Sequence, residues 1–145
     1  MEGMSLEELH AIDLLGRVPY GRLATSMRAL PFLTVARHIV IDGRVVLRMH
    51  SGLGYHDACD GTVVAYGADN FNAATTAGSD DLWSVQFTGP ARIVEPTRAQ
   101  RERFGPLPVE VNGEPFVPSY LRLEPHFVTV HTLGFDASQQ MRNAA

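Results

Sequence analysis

Ile39-Val40-Ile41-Asp42-Gly43-Arg44-Val45-Val46-Leu47-Arg48-Met49 holds two β-branched runs separated by Asp-Gly. Asp-Gly tolerates the positive φ that a two-residue hairpin turn needs, so the stretch predicts strand, tight turn, strand. The same two-residue period continues outward. Towards the N-terminus, Arg22-Leu23-Ala24-Thr25-Ser26 and Phe32-Leu33-Thr34-Val35-Ala36 read as strands. Towards the C-terminus come Thr62-Val63-Val64-Ala65-Tyr66, a long run from Trp83 to Val94, and the terminal runs Tyr120 to Glu124 and Phe127 to Thr132. Gly89-Pro90 interrupts the long run, and a proline, having no amide hydrogen, predicts an edge or a bulge there. Gly67 to Asp81 reads as a connecting loop, and the proline-rich stretch from Pro106 to Pro118 as an irregular, lid-like one.

Helix signals are few. Ser5 followed three residues later by Glu8 is the capping-box arrangement, and Leu6, Leu9, Ile12 and Leu15 recur along one helical face until Gly16. This predicts an amphipathic helix of about ten residues. Thr97 reads as the cap of a second, short helix running to Phe104, and the tail 136–145 reads as frayed. A tally of about six strands against one N-terminal helix and one or two short ones means a barrel or a sandwich, between which periodicity does not choose.

The chain has 145 residues, 45% of them hydrophobic, which suits one domain over 1–145 with its core in about 6–132. A net charge of −4 argues against nucleic acid as partner. All twelve basic residues are arginine, so Schiff-base chemistry is excluded and an anion site must use Arg, His, hydroxyls or backbone N–H groups. The single Cys59 has no intramolecular disulfide partner, Glu2, Glu7 and Glu8 stand where a signal peptide would need positive charge, and no 18-residue apolar stretch occurs. The expectation is a cytoplasmic protein with no membrane partner. His126 and His131 fall on opposite faces of an extended strand, no zinc-like cluster appears, and Asp80-Asp81 lies in a loop, so neither a metal nor a hydrolase is expected.

Gly21-Arg22-Leu23-Ala24-Thr25, Phe32-Leu33-Thr34-Val35, Asp42 to Arg48, Val63-Val64-Ala65-Tyr66, Trp83-Ser84-Val85 with Gly89 to Val94, and Tyr120-Leu121-Arg122-Leu123-Glu124-Pro125 follow one another in this order after a capped helix. Together, over roughly residues 6 to 131, they resemble the pyridoxamine 5′-phosphate oxidase-like, flavin-nucleotide-binding family. The resemblance implies a mainly β fold, a six-stranded split β-barrel with Greek-key connections. It also implies a homodimer whose FMN sites lie between subunits.

Residue by residue, the resemblance implies that Arg48, Met49, His50 and Ser51 hold the flavin phosphate, a role that guanidinium geometry suits. Thr34 and Val35 correspond to positions whose backbone meets the flavin ring, and Trp83, Ser84 and Gln86 begin a strand that approaches the flavin or the dimer seam. The family usually carries Lys in a Gly-x-Lys-Leu pattern where this chain has Gly52-Leu53-Gly54-Tyr55-His56, and His56 or His50 are the candidate substitutes. The expected function is an oxidoreductase in which FMN passes a hydride or electrons to or from a small-molecule substrate, with no catalytic side chain assigned. Two alternatives keep the fold: a non-catalytic flavin- or haem-binding module, and a reductase using deazaflavin (F420).

Overall fold

The computed structural model describes residues 4–72 and 81–134. Helix α1 (Leu6–Leu15) leads into strands β1 (Tyr20–Met27), β2 (Leu30–Ile41) and β3 (Arg44–His50), then helix α2 (Tyr55–Cys59) and strands β4 (Val63–Asp69) and β5 (Leu82–Ile93). Helix α3 (Arg98–Phe104), the two-residue strands β6 (Glu110–Val111) and β7 (Glu114–Pro115), β8 (Pro118–Leu123) and β9 (Phe127–Leu133) complete the order.

Six of these strands close a barrel in the order β4-β1-β2-β3-β8-β5, with β4 pairing back onto β5 and β9 added on the other side of β5. All of these ladders are antiparallel. The mainly β, six-stranded barrel expected from the sequence is therefore present, and its closure covers most of the edges that an open sheet would leave. The hairpin forms as read: Asp42 and Gly43 take φ of 50° and 74°, and Val40 faces Val45 across the turn.

Leu23, Val45, Leu47, Met49, Val64, Tyr66, Val85, Phe87, Leu121 and Leu123 fill the interior from alternate strand positions. Outside the barrel, Phe104 of α3 covers Ile39 and Val46 in a smaller cluster.

Four expectations change. The helix has the expected span, and Ser5 Oγ accepts from Glu8 N–H, but its buried face is Ala11, Leu14 and Leu15, and Leu6 is 86% exposed. Helical period alone does not say which face meets the sheet. The two runs before the hairpin are one twelve-residue strand, β2, because Arg37 and His38 stay in the ladder. Gly89-Pro90 produces no break. On one side β5 pairs with β9 through Thr88 and with β8 from Ala91, so Pro90 stands at the change of partner, where its missing N–H is not needed. A Cβ on Gly89 would overlap the carbonyl oxygen of Glu124, so only glycine lets the two chains pass. Finally, the loop from Pro106 to Pro118 contains the β6–β7 hairpin, turned by Asn112-Gly113 at φ 51° and 80°. This Asn-Gly is the same kind of signal as Asp42-Gly43. The tail 136–145 and Asp80 lie outside the described residues.

A buried polar junction ties α1 to the barrel. His38, 2% exposed, meets the carbonyl of Leu15 through Nε2 at 2.8 Å and the Tyr66 hydroxyl through Nδ1 at 2.5 Å. That hydroxyl also lies 3.1 Å from the Ala36 carbonyl. Burial lowers the His38 pKa from its ordinary 6.5 and raises that of Tyr66, so a neutral ring donates through Nε2 to Leu15, and the one Tyr66 hydroxyl proton is shared between His38 Nδ1 and the Ala36 carbonyl.

Gly89→Ala should cost about 2 kcal/mol or more in a urea denaturation series, since neither backbone segment at the crossing can retreat freely; an unchanged midpoint would refute the close approach of the two chains as the reason for glycine. For His38, the unfolded chain binds a proton near pH 6.5 and the folded one only at lower pH. Unfolding free energy should therefore hold above that value and fall with acidification below it, by at most about 1.4 kcal/mol per pH unit from this group. His38→Gln should flatten that slope between about pH 5 and 6.5, and an equal slope in both proteins would place its origin elsewhere.

Candidate functional site

The β2–β3 ladder ends at the pair Arg37 and Arg48, although both strands run on. Beyond it β3 continues along β8 to His50, while β2 turns back along β1. Among the described residues, Leu30 to Ala36 thus pair with β1 on one edge and with no strand on the other. The fork opens a groove of about 520 Å³ beside that uncovered edge. Leu33, Val35, Met49, Leu53, Tyr55 and Phe116 give it apolar and aromatic walls, while Arg37, Arg48, His50 and Glu110 bring the charged and titratable groups.

Arg37 and Arg48 sit directly opposite each other, an arrangement that like charges make unfavourable. Neither takes part in an ion pair among the described residues. Their partners are backbone carbonyls instead. Arg37 donates through Nη1 to the carbonyls of Pro19 (3.2 Å) and His38, and through Nη2 to Arg103 (3.3 Å). Arg48 donates through Nη1 to Gly105 (3.1 Å) and through Nη2 to Pro106 (3.2 Å), with its guanidinium 5.3 Å from the Phe104 ring centre. Carbonyl dipoles satisfy N–H groups without cancelling charge, so the fork keeps two positive charges beside a hydrophobic slot. Burial lowers the Arg37 pKa, the cost of holding this charge out of water.

The residues singled out in the sequence divide into groups. Thr34, Val35, Arg48, Met49 and His50 all line this groove. Arg48 is only 4% exposed. His50 Nδ1 accepts from Val117 N–H at 3.1 Å, its ring lies 5.5 Å from that of Phe116, and its Nε2 fills the space that a Cβ on Gly52 would need. The backbone N–H of Ser51 is taken by the Val117 carbonyl at 2.9 Å, leaving its hydroxyl. His56, in α2, has a buried Nδ1 without a hydrogen-bond partner among the described residues and an Nε2 3.6 Å from Asp57. Ser84 and Gln86 line a second depression of about 310 Å³ with Arg22, Ala24, Gly67 and Asp69, on the outer face of β1, β4 and β5. Trp83 is 7% exposed and packs into the barrel core, so its ring faces neither depression. Leu33 borders both depressions.

Sequence reasoning misses Arg37, Tyr55, Phe116 and Glu110. Arg37 alternates with Thr34-Val35 in a strand, and nothing local says that the ladder stops there. Among the described residues no group of three or more His, Cys, Asp or Glu side chains is placed to hold a metal, and no helix is long and apolar enough to cross a membrane.

The barrel, the forked hairpin and the arginine-flanked groove define a class of small split-barrel domains. The model of the pyridoxamine 5′-phosphate oxidase family matches residues 7–132, and the chain belongs to that family. An uncharacterised protein of Mycobacterium tuberculosis, Rv0080, is 33% identical over 106 residues, covering 69% of this chain and 67% of its own. Among solved structures, an FAD-binding protein from Mycobacterium smegmatis superposes with a TM-score of 0.66 at 23% identity, over 90% of this chain and 98% of that one. An FAD- and haem-binding protein from the same organism gives 0.63 at 16% identity, over 99% and 80%. At these identities the two structures speak for the fold.

Proposed function

We propose that this chain is a flavin-binding protein with FMN as its cofactor, acting as an oxidoreductase on a small molecule. The observation that carries the reading is the Arg37–Arg48 pair, two opposed cations without a carboxylate partner among the described residues, at one end of an apolar groove beside an uncovered strand edge. A nucleotide flavin has the matching parts: a flat, largely apolar ring system rimmed by hydrogen-bonding groups, and a phosphate. The backbone groups of Leu33 to Ala36 would hold the hydrogen-bonding rim of the ring system, Tyr55 and Phe116 would supply apolar contact, and Arg37 would hold the phosphate. When bound, the flavin supplies the hydride or electron transfer, and the chain supplies binding, orientation and exclusion of water.

The flavin-binding and haem-binding relatives support this reading as neighbours in fold. Haem ranks below flavin because His50, the histidine in the groove, already uses Nδ1 for Val117 and presents Nε2 to Gly52. Deazaflavin also ranks lower, since its acidic tail favours a basic track, whereas the depression adjoining the groove balances Arg22 with Asp69.

We also propose a homodimer. Exposed Leu33 and Val35, next to the small residues Ala24, Ala65 and Gly67, form a surface that a second copy can cover. The partner's Ser84–Gln86 face would then close the groove, with both copies using the same patch. The compartment proposed is the cytoplasm, with Cys59 buried as a free thiol.

Titration of the purified protein with FMN, FAD and riboflavin, followed by flavin fluorescence, tests the reading. We expect FMN to bind at least tenfold more tightly than riboflavin, and Arg37→Gln to remove most of that preference, a loss of about 1.5–3 kcal/mol for a charged hydrogen bond. Failure to take up any flavin would refute the proposal, and tighter binding of FAD than of FMN would refute its choice of cofactor.

A further inference from the structure

Arg48 and His50 occupy alternate positions on β3, so their side chains leave the same face of the strand. Both reach the 105–117 segment, and they reach its two ends. Arg48 holds the carbonyls of Gly105 and Pro106, and His50 holds the N–H of Val117, which Ser51 N–H secures again through the Val117 carbonyl. Between these fixings the segment closes on itself, through the β6–β7 hairpin and a bond from Phe116 N–H to the Val109 carbonyl at 3.1 Å. Pro108, Glu110, Val111 and Phe116 of this strap form one wall of the groove. The strap has little other attachment: Leu107, Val109 and Val117 are exposed, and none belongs to either core cluster.

We propose that Arg48 and His50 are positioning residues, which act on the ligand by holding the strap against the groove and not by touching the phosphate. The inference rests on the flavin reading for its ligand and on the bonds above for its geometry. Arg48 is 4% exposed, its guanidinium lies over Phe104, and both terminal nitrogens are engaged, so its reachable surface is small. His50 spends its acceptor on Val117, and its remaining nitrogen abuts Gly52. Arg37 also engages both terminal nitrogens with carbonyls, but it is only half-buried in the same groove and its bonds to Pro19 and Arg103 are open to solvent, so it is the arginine placed to meet the anion.

FMN and riboflavin differ only in the phosphate, so the ratio of their affinities separates a phosphate ligand from a strap anchor. Binding of both to full-length Arg48→Lys, Arg48→Gln, His50→Leu and His50→Asn proteins gives that ratio. Cleavage by a glutamate-specific protease at Glu110 in the flavin-free proteins reports on the strap itself. Arg48→Gln and His50→Leu should weaken both flavins by a similar factor, about fivefold or more, and should speed cleavage by a similar amount. His50→Asn, whose amide oxygen can stand in for Nδ1 as acceptor, should restore wild-type values in both assays. Arg48→Lys keeps the charge but loses the paired carbonyl contacts, so it should behave like Arg48→Gln. A tenfold fall in the FMN-to-riboflavin ratio in Arg48→Gln, with Arg48→Lys unaffected, would overturn the proposal by making Arg48 a phosphate ligand. Should the wild type bind neither flavin, the flavin reading fails alone, and cleavage rates still decide whether the strap depends on these two side chains.

Discussion

The separation of β2 from β3 at the Arg37–Arg48 pair is the constraint on which the rest of the molecule depends. Until that pair the two strands share a ladder set by the Asp42-Gly43 turn; after it, each satisfies its backbone with a different neighbour. Divergence lets six strands wrap a core of branched and aromatic side chains, and it leaves one edge of β2 without a strand partner among the described residues. In most β proteins such an edge is a liability that invites pairing with another chain. Here part of that edge borders the groove, one wall of which is formed by Pro108, Glu110, Val111 and Phe116 of the strap.

Closure of the barrel relies on a second local event, the change of partner along β5. Strands β8 and β9 share one side of β5, and Gly89-Pro90 lies where one ends and the other begins. Glycine provides the space beside Glu124, and proline occupies a position where no donor is required. The His38 junction then fixes α1 against the same framework. Each polar atom in this buried junction has a partner, as burial demands.

Features that depend on near neighbours along the chain are legible in the sequence itself. The Asp-Gly hairpin, the alternation of β1 and β4 and the Thr97 cap form as read, whereas of the capping box at Ser5 only the bond from Glu8 N–H to the serine hydroxyl forms. Features set by distant partners are not legible in this way. Leu6 and Leu9 have helical spacing but lie outside the core, because the sheet meets the opposite side of α1. The proline in β5 reads as an interruption because its two partner strands come later in the chain. The groove is half legible: Thr34, Val35, Arg48, Met49 and His50 line it, whereas Arg37 acquires its significance only from the end of a ladder. The Asn112-Gly113 turn is a readable signal that the surrounding prolines mask.

If the groove opened by the fork holds the flavin ring, backbone amide spectra of the isotopically labelled protein will report it as FMN is added. The largest shifts should then fall on Leu33 to Arg37, on Arg48 to Tyr55 and on the strap between 108 and 116. Shifts confined to the outer face of β4, β5 and β9, or none at saturating FMN, would contradict this placement of the ring.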